Sequence, residues 1–418
     1  MFVQFFMRCA ILLLTLFAAS CFAQVTPKSV TVPVTLDHNR IIIDVYLPLA
    51  DGTQKRVRAW VDTGNVDLWM DERVANFLGL MYTGESQGEI LGAKVRPAQP
   101  PHDVTVAGMK ISFEGVKESR VMAADSIAPG SSAEINLPST VLRHYDLAMD
   151  YVNRELTLAT PGQIKFTGAS AKAFVNPWNG LIQVPAKIAD QTYSLTLDLG
   201  ACFSMLAGDV FQGLRKSHPA WPHMTGSVGN AIFWGMPGEA TAESVLLPSI
   251  QYGSATIQNV GASELPAEFM KFYRERTGAE TSGLIGGNAL LNYKVGIDYA
   301  HATVYFDPLS KFEAPGMDVV GLTLRPEVDE RYTVIGVPLF AAKLAVAGVK
   351  PGDVLIAVDK VPAKGSTMGQ IWSLLGGSPG DKRVLTLERD GKQFNVTAIV
   401  RRFLPIGHAP PPKGHRAH

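Results

Sequence analysis

Two stretches of the sequence each end an apolar run in an Asp-X-Gly turn. Residues 59–70 read AWVDTGNVDLWM and carry Asp62, and residues 195–206 read LTLDLGACFSML and carry Asp198. Two carboxylates held about 3 Å apart cannot both ionise, so they share one proton. One carboxylate then activates a water molecule as a base while the other donates its proton to a carbonyl. The two turns predict a site for hydrolysis by water, without a covalent intermediate.

The two turns occupy matching places in an internal repeat. Residues 136–158 resemble residues 284–306, with Leu, Tyr and Asp-Tyr recurring at an offset of 148 positions. A lone Asp-X-Gly turn is more often structural than catalytic, but two copies in register favour a carboxylate pair. We interpret residues 30–160 and 175–310 as two copies of one β-rich unit.

Each copy is predicted to be mainly β, with a short helix and a closing hairpin near its end. The helices are predicted over 138–145 and 287–293, and the hairpins over 149–158 and 297–306. One copy alone would leave an apolar face exposed. The two lobes should therefore pack together, with the Asp-X-Gly turns meeting at their junction.

The remainder, residues 318–404, predicts a separate small α+β domain. A strand over 332–337 precedes a short helix over 340–346 and a strand over 354–358. A longer amphipathic helix follows over 367–375.

The two lobes resemble pepsin-like and retropepsin-like aspartic peptidases that carry both lobes in one chain. Residues 62–65, Asp-Thr-Gly-Asn, match the family's first motif, and residues 283–287, Gly-Leu-Ile-Gly-Gly, match the segment that completes the fold of a lobe. The resemblance implies an aspartic-type endopeptidase that acts on polypeptides, with no cofactor and no metal. It implies Asp62 and Asp198 as the catalytic pair, on turns built from Thr63, Gly64, Asn65, Leu199, Gly200 and Ala201. It also implies a mobile flap over the cleft, for which the candidates are Tyr82, Gly84 and Gly88.

The C-terminal domain resembles a PDZ domain through residues 347–359, AGVKPGDVLIAVD. Such a domain adds an extended peptide beside one of its strands. The resemblance implies a peptide groove along 332–337, formed by Arg331, Tyr332, Thr333 and Val334. The alternative is a domain that only packs on the two lobes.

Two residues depart from the peptidase pattern. Leu199 replaces the Thr or Ser whose hydroxyl, in the family, interlocks with that of the opposite turn. Pro138 stands where the second lobe has a Gly, and a proline has a fixed φ and no N–H. The first lobe is therefore expected to be distorted or rebuilt there. A catalytically weak or inactive homologue that binds peptides is the alternative function.

Two loops leave their roles open. Tyr82 in the candidate flap, residues 82–95, either contacts substrate or packs at the edge of the core. The second-lobe loop, residues 225–245, either lines the cleft or docks on the C-terminal domain.

The N-terminus predicts export. One Arg precedes a short apolar stretch and small residues, which is typical of a secretory signal over residues 1–23. A lipoprotein with lipidated Cys21 is the alternative. After cleavage the chain would keep one cysteine, Cys202, predicted to be a small buried apolar group. We expect a periplasmic or secreted protein without a membrane span, and a disordered tail over 405–418.

The balance of charge does not point to nucleic acid or an acidic membrane as a partner. Lys plus Arg and Asp plus Glu both number 38, so the net charge is zero and gives no reason to expect nucleic acid or an acidic membrane. The predicted partner is a polypeptide substrate or peptide ligand.

Overall fold

The computed structural model describes residues 26–90, 93–124, 126–226, 229–230, 238–310 and 317–406. The predicted signal segment with Cys21, and most of the predicted tail, lie outside the described residues. No described helix has the length and apolar character needed to cross a lipid bilayer. The prediction of a mainly β fold with two lobes is confirmed.

The first lobe is built on alternating strands whose inward side chains form its core. In β3, for example, Ile41, Ile43, Val45 and Leu47 are buried. The alternate residues Asp44, Tyr46 and Pro48 are exposed. Its strands are β1 (Ser29–Pro33), β2 (Thr35–Asp37), β3 (Arg40–Pro48), β4 (Gln54–Asp62), β5 (Leu68–Asp71), β6 (Glu89–Ile90), β7 (Ala93–Ala98), β8 (Asp103–Val106), β9 (Met109–Ser112), β10 (Ser119–Met122), β11 (Ile135–Pro138), β12 (Asp146–Asp150) and β13 (Glu155–Ala159). Its helices are α1 (Glu72–Phe77) and α2 (Ser139–Leu142).

The second lobe has a similar order of elements, with one added helix before its last three strands. Its strands are β14 (Ala169–Lys172), β15 (Phe174–Val175), β16 (Ile182–Ile188), β17 (Gln191–Leu197), β18 (Ser204–Ala207), β19 (His223–Met224), β20 (Gly229–Asn230), β21 (Ser244–Tyr252), β22 (Ala255–Leu265), β23 (Gly283–Ile285), β24 (Tyr293–Asp298) and β25 (Thr303–Pro308). Its helices are α3 (Gly208–Ser217) and α4 (Ala267–Thr277), with 3-10 turns at Glu239–Thr241 and Gly287–Ala289.

One sheet joins the two lobes through their closing hairpins. Both predicted hairpins are confirmed, as β12–β13 and β24–β25. Strands β12 and β24 pair antiparallel with each other, in the strand order β1-β13-β12-β24-β25-β14. The predicted helices at the lobe ends are shorter than expected, since they are α2 and the 3-10 turn Gly287–Ala289.

The two lobes have the same strand arrangement beside each Asp-X-Gly turn. Strand β11 lies parallel to β4 and antiparallel to β5, and β23 lies parallel to β17 and antiparallel to β18. This equivalence places the two turns at the same point of each sheet.

The C-terminal unit is a mixed α+β element with a sheet in the order β27-β28-β31-β33-β34. Its strands are β26 (Asp318–Val319), β27 (Thr323–Pro326), β28 (Tyr332–Gly336), β29 (Leu339–Phe340), β30 (Lys343–Leu344), β31 (Val354–Val358), β32 (Val361–Pro362), β33 (Lys382–Arg389), β34 (Lys392–Ile399) and β35 (Arg401–Arg402). The predicted long helix is confirmed as α5 (Met368–Leu375), which Thr367 caps in a capping box with Gln370.

The helix predicted over 340–346 is wrong. The segment is a small hairpin, β29–β30, in which the turn residues Ala341 and Ala342 have φ values of 49° and 61°. Its end is closed by a hydrogen bond from Ala345 N–H to the Pro338 carbonyl, 2.9 Å long. Packing on the rest of the unit has overridden the helical preference of alanine.

Candidate active site

The two Asp-X-Gly turns meet between the lobes. Asp62 ends β4 beside Pro138 of β11, and Asp198 follows β17 with its N–H bonded to the Ile285 carbonyl of β23. Each carboxylate therefore stands at the end of a buried strand. Asp62 and Asp198 are each 7% exposed.

Each carboxylate lies against the glycine of the opposite turn. A Cβ atom built on Gly64 would have the three carboxyl atoms of Asp198 within 2.6 Å. A Cβ atom on Gly200 would lie 2.5 Å from Asp62 Oδ1 and 3.2 Å from Asp198 Oδ1, so these two oxygens are less than about 6 Å apart. Only a residue without a side chain fits at either position. The structure thus brings the predicted pair together.

The two carboxyls have different proton affinities. Burial, and then the charge of Asp198, raise the pKa of Asp62 well above its usual value. Burial also raises the pKa of Asp198, to about 6, but N–H groups of its own turn and the Arg40 guanidinium counteract the rise. Gly200 N–H and Ala201 N–H donate to Asp198 Oδ1 at 2.8 and 3.0 Å. Asp198 is therefore the group that ionises first, while Asp62 holds the shared proton.

The Thr63 hydroxyl makes both of its hydrogen bonds to the turn of the opposite lobe. Its hydroxyl donates to the Leu197 carbonyl at 2.8 Å and accepts from Leu199 N–H at 2.9 Å. Leu199 has no hydroxyl to return the pair of bonds, and its side chain is completely buried in the core. The contact that holds the turns is one-sided, as the sequence indicates.

Pro138 does not distort the first lobe, contrary to the expectation. Its φ of −79° and ψ of 167° are close to the extended values of Gly286, at −106° and 178°. The hydrogen bond after it is also repeated, since Ser139 N–H donates to Asn65 O and Gly287 N–H donates to Ala201 O, each at 2.8 Å. A proline adopts this extended backbone without strain.

The carboxyl pair lies in a cleft of about 220 Å³ with mostly apolar walls. Besides the turn residues Asn65 and Ala201, the walls carry large apolar side chains from both lobes: Trp60, Trp69, Met122, Ile127, Met205, Phe269, Phe272 and Leu284. Such a cleft suits the side chains of an apolar or mixed peptide. In the part of the chain that is described, no cluster of three or more His, Cys, Asp or Glu residues could bind a metal ion.

Arg40 and Cys202 are among the cleft residues that were not predicted as site residues. Arg40, which begins β3, lines the cleft at 2% exposure with its guanidinium 5.5 Å from the Trp60 ring centre. It contacts His38 Nδ1 at 3.3 Å and Met368 Sδ of the C-terminal unit at 3.8 Å. Cys202 is fully buried beside it, as predicted, and burial raises the pKa of its thiol to about 11.

Helix α4 crosses from the second lobe to the turn of the first. Tyr273 Oη donates to the Gly64 carbonyl at 2.9 Å, and Arg276 forms an ion pair with Asp67. Asp67 also lies 3.4 Å from the Arg120 guanidinium. These contacts connect the two lobes, and Tyr273, Arg276 and Asp67 all line the cleft.

The candidate flap residues lie away from the carboxyl pair. Tyr82 is bridged to Ala98, and its ring lies 3.7 Å below the Arg96 guanidinium, so it packs at the edge of the core. Gly84 lies beside Pro97, and Gly88 is exposed and has a φ of 127°. None of the flap candidates Tyr82, Gly84 and Gly88 lines the cleft, as far as the described residues show.

The predicted peptide groove along β28 is wrong. Strand β28 pairs with β27 on one side and β31 on the other, so it has no open edge. Tyr332 and Val334 are buried, and Tyr332 Oη donates to the Ser366 carbonyl at 2.8 Å. Thr333 pairs with both neighbouring strands, and Arg331 pairs with Asp329 at the surface. An added peptide strand cannot bind there.

No protein-family model matches the sequence, and no curated protein matches it. Among solved structures, the chain is similar to basic 7S globulin from soybean, with a TM-score of 0.38 and 10% sequence identity. The match covers 68% of this chain and 96% of the globulin chain. A TM-score of this size does not establish a common fold or function.

Proposed function

We propose that the protein is an aspartic-type endopeptidase. Asp198, ionised first, takes a proton from a water molecule, and Asp62 donates its proton to the carbonyl of the scissile peptide bond. Water attacks that carbonyl directly and forms a tetrahedral diol. The C–N bond then breaks as the proton now on Asp198 passes to the amide nitrogen and one diol hydroxyl returns a proton to Asp62, which releases the amine and the carboxylic acid. The substrate is an extended polypeptide, and the mainly apolar cleft favours apolar side chains next to the cleaved bond.

One observation carries this proposal. Two buried carboxyls come from matching turns of two repeated lobes, and each lies against the glycine of the other turn. Burying two such groups beside each other is unfavourable for stability if both are ionised, and sharing one proton removes that cost. A shared proton between two acids is the arrangement that acid–base hydrolysis requires.

The proposed setting is outside the cytoplasm, because the N-terminal sequence is typical of a secretory signal. In the alternative form of this proposal the signal is that of a lipoprotein, and a lipid on Cys21 anchors the protein to a membrane. The C-terminal unit is proposed to be a PDZ-like domain that binds or positions polypeptide.

The pH dependence of hydrolysis tests the proposal. The active form has Asp198 ionised and Asp62 protonated, and the pKa of Asp198 is raised to about 6. Below that pH both groups are protonated and no base remains. We expect kcat/KM for a reduced, carboxymethylated polypeptide to rise with pH through about 6, and to fall again at the higher pH where Asp62 ionises.

The measurement is the appearance of new α-amino groups between pH 4 and pH 9, with the purified full chain. A bell-shaped profile with its acid side near pH 6 supports the carboxyl pair. A rate that is flat across this range, or that is highest at pH 4, contradicts it.

A peptide-binding protein with little or no activity is the second candidate. Two observations favour it: Leu199 leaves the interlobe contact one-sided, and Tyr273 already bonds to the Gly64 carbonyl beside the carboxyl pair. In this case the cleft would bind a peptide without cleaving it.

Restoring the missing hydroxyl separates the two candidates. By the repeat, Thr at position 199 would face Val61 and Thr63 as Thr63 now faces Leu197 and Leu199. One added buried hydrogen bond contributes about 1 kcal/mol, so we expect Leu199→Thr to raise kcat/KM by several-fold. Leu199→Val is the matched control, since it loses a similar volume without adding a hydroxyl.

Equal rates for Leu199→Thr and Leu199→Val would show that the one-sided contact does not limit the reaction. Absence of hydrolysis in both variants and in the wild type, together with measurable peptide binding, would establish the second candidate.

A further inference from the structure

Among its own strands, the sheet of the C-terminal unit has two outer strands, β27 and β34. Strand β27 is the outer strand on the side where β20 contacts helix α5. The edge of such a strand presents unpaired backbone donors and acceptors, which is the usual requirement for adding an extended peptide. The outer edge of β27, unlike the interior strand β28, can therefore accept a further strand.

A segment of the second lobe already occupies this edge. The short strand β20, Gly229–Asn230, pairs parallel with β27, with Gly229 opposite Thr323 and Asn230 opposite Leu324. The same segment contacts helix α5. It therefore lies between the edge strand and the helix, where an added peptide would lie.

Strand β20 lies within the second-lobe loop, residues 225–245. Both ends of this loop also contact the C-terminal unit. The Thr225 carbonyl accepts from Leu339 N–H at 3.4 Å, and Gly226 packs on Pro338. At the other end, Ala240 lies against Gly336 of β28. Of the two roles left open for residues 225–245, docking on the C-terminal unit is the one that the described residues show.

The loop has the same position in the second lobe as the candidate flap has in the first. It runs from β19 to β21, which pair with each other as Tyr82 pairs with Ala98 in the first lobe. Because β21 continues into the sheet that carries the Asp198 turn, the loop joins the peptide edge to the lobe that forms half of the cleft.

Segment Gly229–Asn230 lies in a groove between strand β27 and helix α5. The first lobe holds the helix side of this groove in place. Asp37 Oδ1 accepts from the Thr367 hydroxyl at 2.8 Å and from Gly369 N–H at 2.6 Å, at the start of α5. The His38 ring lies 4.8 Å from that of Trp372. Because these contacts hold α5 in place, a peptide can bind between α5 and β27 only by replacing Gly229–Asn230 and not by moving the helix.

We propose that Gly229–Asn230 is a built-in strand ligand of the C-terminal unit, and that an extended peptide binding at the β27 edge must displace it. The ladder has only two residue pairs, so its replacement by a longer peptide strand is favourable once the peptide is present. This inference rests on the peptide-binding role proposed for the C-terminal unit and does not depend on hydrolysis.

The test is competition for the edge. Asn230→Pro removes the N–H and fixes φ, which disrupts the pairing, whereas Asn230→Ala keeps the backbone and serves as the matched control. The probe is a fluorescent peptide with the chain's own residues 224–234, MTGSVGNAIFW. We expect Asn230→Pro to bind the probe at least about tenfold more tightly than Asn230→Ala. The reason is that an internal competitor leaves the β27 edge open in only a fraction of the molecules, and the apparent affinity is reduced in proportion to that fraction.

A second pair of residues makes the test independent of how well the proline variant folds. In the double variant Gly229→Cys with Thr323→Cys, the two paired positions can form a disulfide. The oxidised form should not bind the probe, and reduction should restore binding. Hydrogen exchange of residues 322–326 should also be faster in Asn230→Pro than in Asn230→Ala.

Equal probe affinity of Asn230→Pro and Asn230→Ala, or of the oxidised and reduced double variant, overturns the proposal. Because these readouts are binding and exchange, their failure is distinct from a failure to hydrolyse polypeptide.

Discussion

Replacing Asp198 with Asn, or Asp62 with Asn, is expected to lower kcat/KM for polypeptide hydrolysis by about 10³-fold. The amide keeps the shape of the carboxyl and can still accept the hydrogen bonds from Gly200 and Ala201, so the turn remains folded. What is lost is the ability to accept or hold a proton. The two groups act as one unit on one water molecule, so the double variant should be no slower than the slower single variant.

Asp190→Asn is the control for this pair of substitutions. Asp190 is exposed in the β16–β17 turn and does not line the cleft, and its change removes the same charge. Activity should be unchanged there. If Asp62→Asn or Asp198→Asn keeps more than a tenth of the wild-type rate while circular dichroism shows a native fold, hydrolysis takes place at another site.

The carboxyl pair could be predicted from the sequence because it depends on a repeat. Asp62 and Asp198 end apolar strands at matching places, and the closing hairpins around Asp150 and Asp298 repeat as well. A repeated unit with one exposed face must pack on its copy, which brings equivalent turns together. Local hydrophobic pattern and the repeat are sufficient for that inference.

The rest of the cleft could not be predicted because its residues come from elements without a spacing signal. Arg40 is one cation at the start of a strand, and Tyr273 is one aromatic residue on a helix that the first lobe does not have. Their positions beside the carboxyls depend on how the lobes pack. Nothing in the neighbouring sequence distinguishes them from ordinary core residues.

The error over the C-terminal unit has a similar cause. The sequence shows that β28 is a strand, but the order of strands in a sheet depends on contacts far apart in the chain. Strand β27 is shorter and ends in Pro326, so it gives a weaker signal, and its partner β20 lies more than ninety residues earlier. The strand that lies at the edge of the sheet is therefore visible only in the folded chain.

Gly64→Ala is expected to lower kcat/KM by at least about 100-fold and to destabilise the protein by about 1–3 kcal/mol. The reason is space, since Gly64 is not among the glycines with positive φ. The added methyl group would enter the volume of the Asp198 carboxyl, which is short and held by two N–H groups. Either the carboxyl moves away from Asp62 or the two lobes separate, and both changes spoil the geometry of proton transfer.

Gly213→Ala is the matched control, because the same change is made where there is room. Gly213 lies inside helix α3, and no atom is within 4 Å of the Cβ position. Alanine there should stabilise the helix by about 0.5–1 kcal/mol and leave the rate unchanged. The two substitutions are thus expected to shift the melting temperature in opposite directions. A Gly64→Ala protein with wild-type activity and melting temperature would show that the Asp198 carboxyl does not lie against the first turn, and the carboxyl pair would then lose the contact on which its shared proton depends.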